Sequence, residues 1–179
     1  IAAARTVAAH LGIPHYVFSC HDEFEEHVLR YSWDEYAHGR TPNPCVNCNL
    51  YLKWGFLWQR ARALGADYIA TGHYARIEST DAGPVLVRGV DPQKDQSYFL
   101  FPLTAEHLAH TLFPLGEMTK PEVRELARRF ALPTAEKAES QDVCFAEPGE
   151  GFGESLRKRF GGGTMAGSFV DVEGRVLGH

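Results

Sequence analysis

Cysteines carry the most recognisable chemistry in this sequence, at Cys20, Cys45, Cys48 and Cys144. Cys45 and Cys48 stand at i and i+3, directly after residues 39–44, where two prolines hold the backbone extended. An apolar, helix-like run begins at Asn49. A helix N-terminus favours the thiolate, which is the reactive form of cysteine. We therefore expect this loop to deliver two thiols for sulfur chemistry.

The spacing of the cysteines leaves three kinds of site open. A structural zinc site normally takes four ligands, and the sequence has no second CxxC motif. Three cysteines from two distant segments could instead bind an iron–sulfur cluster with an open iron position. They could also act as a nucleophile and a partner thiol that carries sulfur as a persulfide. Cys20 is interpreted as a small, half-buried apolar residue.

Composition places the chain among ordinary globular proteins. It has 179 residues, 44% of them hydrophobic, and a net charge of −5. This is enough for one domain with a core and part of a second. Cysteine is too sparse for a disulfide scaffold, so cytosolic thiols and a cytoplasmic location are expected. No apolar run has the length of a membrane span, and we expect no signal peptide. The start at Ile1 predicts a piece of a longer protein.

The hydrophobic pattern predicts alternating helices and strands, which is typical of an α/β fold. Helices are predicted over residues 1–11, 22–38, 50–64, 104–112 and 119–130, strands over 15–18 and 66–71, and hairpins over 75–88 and 169–178. Glycine becomes dense after Pro148, so we place a domain boundary near residue 150. The prediction is one domain over residues 1–150 and the start of another over 151–179.

Two polar segments follow predicted strands and are site candidates. Gly72 and His73 come directly after the 66–71 strand, at the carboxyl end where open α/β sheets bind ligands. Residues 94–98 pack polar groups into one loop, and their sequence alone fits a solvated turn as well as a binding loop.

Several ordered motifs resemble one known family. They are GRTPNP at residues 39–44, CN at 48–49, GADYIATGHY at 65–74, KDQSYFL at 94–100, FPLG at 113–116 and SQDVCF at 140–145. In this order they resemble the tRNA-specific 2-thiouridylases, and the resemblance runs over essentially the whole chain. It implies an enzyme that uses ATP with Mg²⁺ to adenylate the oxygen on carbon 2 of the wobble uridine of tRNA. A sulfur species then displaces AMP.

The resemblance also implies the fold. It is a parallel-sheet, adenine nucleotide α-hydrolase-like domain of the PP-loop ATP pyrophosphatase kind, followed by the start of a small second domain. The family's Ser-Gly-Gly-x-Asp-Ser phosphate loop and its carboxy-terminal β-barrel are not in this sequence. We therefore expect a truncated domain that is inactive alone and belongs to an intact tRNA-uridine 2-sulfurtransferase.

Site residues carry over from the family position by position. Cys48 matches the nucleophilic thiol, Cys144 the cysteine that carries the persulfide, and Gly72 a residue against ATP. The tRNA and its target base are matched by Asn43, Pro44, Cys45, His73, Lys94, Asp95 and Gln96. The implied partners are tRNA and a sulfur-donor protein or hydrosulfide, with no membrane.

Cys45 departs from the family pattern, because many members have Asp at this position. The substitution creates the CxxC motif and, with Cys144, supplies three thiolates. Related tRNA thiolases hold a 4Fe–4S cluster with three cysteines, and its fourth iron could bind hydrosulfide. We favour this cluster and keep open a Cys48–Cys144 persulfide pair, which would leave a disulfide when oxidised. The alternative from another class is a zinc-stabilised, non-catalytic RNA-binding module.

Overall fold

Helices are the main regular elements of the structure, a computed structural model that describes residues 1–137, 143–145, 151–161 and 167–178. They are α1 (Ala2–Leu11), α2 (His21–Phe24), α3 (Tyr31–Ala37), α4 (Pro44–Asn47), α5 (Trp58–Ala63), α6 (Ala105–Ala109), α7 (Lys120–Arg129) and α8 (Phe152–Phe160). Segments of wider, π-helical turns, Glu25–Arg30 and Cys48–Leu57, join α2 to α3 and α4 to α5. Two continuous helices result, helix 21–37 and the one that we call the thiol helix, residues 44–63. A 3₁₀ turn covers Ser97–Leu100.

The strands are short and pair in twos within the described residues. They are β1 (Ile69–Ala70), β2 (Ala75–Thr80), β3 (Gly83–Arg88), β4 (Thr111–Leu112), β5 (Phe169–Val170) and β6 (Val176–Gly178). β1 and β4 are parallel, with Ile69 opposite Thr111. The pairs β2–β3 and β5–β6 are antiparallel, which confirms both predicted hairpins. The class is α/β, as predicted.

Helix boundaries follow the expected local signals at several places. Gly12 ends α1 with a φ of 67°, a left-handed conformation that glycine adopts without strain. Thr119 and Glu122 form the predicted capping box at the start of α7. The thiol helix begins at Pro44, six residues before the predicted start at Leu50. Proline suits the first helical turn because its missing N–H needs no partner there.

Two predicted elements differ from the observed structure. Residues 15–18 are not paired with any described strand, and Tyr16, Val17 and Phe18 are exposed. An apolar run forms a strand only where another strand hydrogen-bonds to it. The helix predicted over 104–112 ends at Ala109, because Thr111–Leu112 pairs with β1 as a strand. Long-range pairing overrides local helical preference here.

The core joins the thiol helix to the parallel strand pair. It consists of Trp54, Trp58, Ile69, Ala75 and Leu100. Trp54 is 1% exposed, and its Nε1 donates a hydrogen bond of 2.7 Å to Thr111 Oγ1 on β4. This contact fixes the thiol helix across the sheet, close to the carboxyl end of β1.

The last described helix packs on helix 21–37. Phe160 of α8 stacks on Trp33, and Phe152 contacts Tyr36, with ring centroids 6.3 and 5.5 Å apart. The predicted boundary near residue 150 stays a prediction. No helix in the described ranges is long and apolar enough to cross a membrane.

Candidate active site

Cys45 and Cys48 lie in the first two turns of the thiol helix, and not in a loop as predicted. Cys45 is exposed and Cys48 is half-buried. The neighbours of Cys48 hold it in place. Asn47 Nδ2 donates to the carbonyl of His27 at 3.0 Å, and buried Asn49 donates to the carbonyl of Phe99 at 2.9 Å. The start of this helix is therefore tied to helix 21–37 on one side and to the 3₁₀ turn on the other.

Desolvation opposes ionisation of both thiols. Burial raises the pKa of Cys48 above its ordinary value, and the positive charge of Lys53 lowers it only in part. Burial also raises the pKa of Cys45, with a further rise from the charge of Cys144. The expectation that the helix start would favour thiolates is therefore wrong, since desolvation is the largest effect at both sulfurs.

Cys144 approaches the thiol helix from a distant part of the sequence. Its charge raises the pKa of Cys45 and of Cys48, so the sulfurs are close enough to interact electrostatically. Cys144 itself is exposed. The next residue, Phe145, packs between Phe24 and Phe152, with ring centroids 5.5 and 5.3 Å apart. The SQD part of the SQDVCF motif lies outside the described residues.

A metal centre finds no support in this arrangement. Among the residues that the structure describes, no three His, Cys, Asp or Glu side chains are gathered closely enough to hold a metal ion. Within the described residues the three cysteines are not gathered as ligands of a cluster or a zinc ion, and the cluster stays a prediction.

A cleft of about 440 Å³ opens at the carboxyl end of β1. It is lined by Gly72, His73 and Gln96 together with Lys53 of the thiol helix. Gly72 is exposed, and a Cβ added to it would meet only Leu115 Cδ1, at 3.7 Å. The space over this backbone is open for a ligand. The structure thus brings three predicted site residues to one cleft.

His73 lies between Lys53 and Thr71. Its Nε2 is 3.2 Å from Lys53 Nζ, and its Nδ1 is 2.7 Å from Thr71 Oγ1. An ammonium group can only donate, so we assign Nε2 as acceptor and place the ring proton on Nδ1. His73 is 8% exposed, and burial, then the charge of Lys53, lowers its pKa to about 4. The imidazole is neutral at neutral pH.

Hydrogen bonds from neighbouring segments hold the loop 94–96 in place. Asp95 accepts from Gly89 N at 2.9 Å, from Arg88 Nε at 3.1 Å and from the Ser97 hydroxyl at 3.0 Å. These contacts give Asp95 a structural task in the loop. Gln96 Oε1 accepts from Tyr74 N at 3.1 Å. The amide NH₂ of Gln96 has no hydrogen bond within the described part of the chain, and remains available to a ligand.

Sequence reasoning missed Lys53. Its charge acts on the two thiols of its own helix and on His73, so it links the thiol pair to the cleft. A signal was present, because Lys53 is the only charged residue between Thr41 and Gln59.

Half-buried Asn43 and buried Pro44 stand at the start of the thiol helix. The roles predicted for individual site residues remain predictions.

Comparison with known proteins covers nearly the whole chain. The model of the tRNA methyl transferase HUP domain family matches residues 1–148. A tRNA-specific 2-thiouridylase MnmA of Geobacter metallireducens is 55% identical over 177 residues, 98% of this chain and 48% of the relative. Proteins with the same name from Carboxydothermus hydrogenoformans and Clostridium perfringens are 51% and 47% identical, again over 98% of the chain and 48% of each relative. The chain spans about half the length of these curated relatives.

Proposed function

The chain belongs to the tRNA methyl transferase HUP domain family, and on this basis we propose that the intact protein is a tRNA-uridine 2-sulfurtransferase. The observation that supports the proposal is that Cys144 lies close enough to Cys45 and Cys48 to raise the pKa of both thiols, on the helix whose Lys53 lines the cleft at Gly72. Thiols from two distant segments suit sulfur transfer, in which one cysteine carries the sulfur and the other releases it. The 2-thiouridylase relatives support the same choice.

ATP serves as the activating substrate in this proposal. The oxygen on carbon 2 of the wobble uridine attacks the α-phosphorus, pyrophosphate leaves, and the base becomes an electrophile with AMP as leaving group. The cleft at Gly72 supports a nucleotide site, because the carboxyl end of a parallel strand is where α/β sheets bind such ligands. Mg²⁺ would accompany ATP through its phosphates.

Sulfur transfer then proceeds through a persulfide on Cys144. The outer sulfur of the persulfide attacks carbon 2 of the activated base. The bond between carbon 2 and its oxygen breaks, and AMP leaves with that oxygen. The delivered sulfur must end as sulfide, two electrons more reduced than in the persulfide. The Cys48 thiolate supplies this electron pair by attacking Cys144 Sγ, which releases the sulfur and leaves a Cys48–Cys144 disulfide. A dithiol reductant and a persulfide donor restore the starting state.

Cys48 has to lose its proton for this step. Burial raises the pKa of its thiol, so the neutral form is favoured at neutral pH. The positive charge of Lys53 offsets part of this effect. Reduced cysteines require a reducing compartment, so we place the protein in the cytoplasm, with tRNA and a sulfur donor as its partners.

A thiolation assay on the full-length protein tests the proposal. The protein is incubated with unmodified tRNA, ATP and a persulfide donor, and the tRNA is analysed on an organomercury gel and by nucleoside mass. Wild type is expected to give 2-thiouridine, while Cys48→Ser and Cys144→Ser give none. Cys20→Ser is the matched control and keeps activity. A methylated nucleoside, or no product from the wild type, would overturn the proposal.

A further inference from the structure

Lys53 is an isolated cation at the border of the thiol helix and the cleft. It is half-buried, and the helix around it is apolar, with Leu52 and Trp54 in the core. Its ammonium group is 3.2 Å from His73 Nε2 and lines the cleft together with Gly72 and Gln96. The ammonium group of Lys53 is therefore held in position by His73, whose imidazole is neutral.

No negative charge of the described chain balances Lys53. No carboxylate within these residues forms an ion pair with it. Its neighbours are His73, Cys45 and Cys48. Burial disfavours the charged form of each of them, so all three are mainly neutral at neutral pH. A cation that is partly removed from water without a counterion costs free energy.

We propose that Lys53 binds a phosphate group of the substrate in this cleft. The proposal rests on the function proposed above, which brings two phosphate-bearing molecules to the site, a nucleotide and tRNA. The space over Gly72 admits such a group, since the nearest described atom to a Cβ built there is Leu115 Cδ1, at 3.7 Å. His73 serves as the acceptor that aims the ammonium group, and the bound phosphate supplies the missing charge.

Nucleotide binding is the first arm of the test. AMP is titrated into full-length wild type, Lys53→Met, Lys53→Arg and Lys158→Met by calorimetry. Lys158 is an exposed lysine of α8, paired with Glu154 at 3.7 Å and distant in sequence from the cleft. Loss of a charge-assisted hydrogen bond should weaken AMP binding about tenfold to a hundredfold in Lys53→Met. Lys53→Arg should keep most of the affinity, and Lys158→Met all of it.

Binding of tRNA is the second arm, because a backbone phosphate could be the group that is bound. Affinity for unmodified tRNA is measured over a series of salt concentrations. If Lys53 contacts a tRNA phosphate, Lys53→Met should release about one counterion fewer on binding tRNA, so tRNA affinity depends less steeply on salt concentration. AMP affinity then stays unchanged. Either result supports phosphate binding and identifies its source. Lys53→Met that equals Lys158→Met in both arms, with a native circular dichroism spectrum, overturns the proposal.

The thiolation assay is kept separate from these measurements. A wild type that thiolates tRNA, with binding that does not depend on Lys53, would contradict only the phosphate proposal. A wild type that thiolates no tRNA would contradict the proposed function, whatever Lys53 binds.

Discussion

The ring of Phe145 meets that of Phe24 edge-on, with centroids 5.5 Å apart and planes at 77°. Phe145 also contacts Phe152 of α8. The residue that follows Cys144 is thus anchored between helix 21–37 and α8. Because adjacent Cα atoms are a fixed distance apart, this anchor limits where the Cys144 sulfur can go relative to Cys48.

Phe145→Ala should therefore impair sulfur transfer without disturbing substrate binding. Loss of positioning at a reacting atom should lower the thiolation rate roughly tenfold or more. Crosslinking of Cys48 to Cys144 by a short bifunctional maleimide should slow in parallel, and Phe145→Tyr should restore both. Phe160→Ala is the matched control, since it removes a ring of α8 that stacks on Trp33. Equal crosslinking rates in the two alanine variants would contradict the anchor.

Cys45 should be dispensable for sulfur transfer. The described residues gather no metal site, so we expect Cys45→Ser to retain thiolation activity within about threefold of wild type, the size of change typical for a residue outside the reacting set. Protein purified without oxygen should contain no stoichiometric iron or labile sulfide. Iron and sulfide that disappear in Cys45→Ser together with activity would restore the cluster hypothesis.

His73 should make the protein less stable in mild acid. Its pKa in the folded state, about 4, lies below the ordinary value of 6.5, so the unfolded chain binds the extra proton first. The contribution of neutral His73 to the free energy of unfolding is fully present above pH 6.5. This contribution falls as the pH is lowered towards 4. The total loss is at most on the order of 3 kcal/mol.

Urea unfolding at a series of pH values measures this effect. His73→Gln should show a shallower loss of unfolding free energy than wild type between pH 6.5 and 4. Exposed His38→Gln serves as the control, because carboxylates also contribute to acid unfolding in every variant. Parallel curves for wild type and His73→Gln would contradict burial of a neutral imidazole.

Trp54 should contribute a hydrogen bond as well as packing. Trp54→Phe loses the 2.7 Å bond to Thr111 Oγ1, whereas Trp58→Phe removes a similar volume from an indole that makes no side-chain hydrogen bond with the described residues. We expect Trp54→Phe to be the more destabilising by about 1 kcal/mol in free energy of unfolding. A double-mutant cycle with Thr111→Val isolates the pair, and a coupling energy near zero would contradict it.

Substitution by alanine should cost much more free energy of unfolding at Gly116 than at Gly72. A Cβ at Gly116 would lie 1.9 Å from the carbonyl oxygen of Ala75, so Gly116→Ala has to displace backbone and should cost about 3 kcal/mol or more.

A Cβ at Gly72 meets only Leu115 Cδ1 at 3.7 Å. Gly72→Ala should change the free energy of unfolding by less than about 1 kcal/mol. It should still weaken AMP binding, because the methyl group enters the cleft. Unchanged AMP affinity would remove Gly72 from the nucleotide site.

Local signals in the sequence predicted much of the fold. Gly12 and the Thr119–Glu122 capping box act within one helical turn, so their geometry follows from neighbouring residues. The hairpins over 75–88 and 169–178 also form between segments that are neighbours along the chain, so the sequence predicts both. Thr111–Leu112 could not be predicted in this way, because its strand exists only through pairing with Ile69–Ala70.

The sequence by itself determined the family and the thiols that could carry sulfur, because residue types and their order are local facts. Only the tertiary structure decided what surrounds them. Burial reversed the expected effect on Cys45 and Cys48, and folding placed Lys53 between those thiols and His73. Desolvation and charge depend on atoms that are neighbours in space and far apart along the chain, which no spacing within one motif can show.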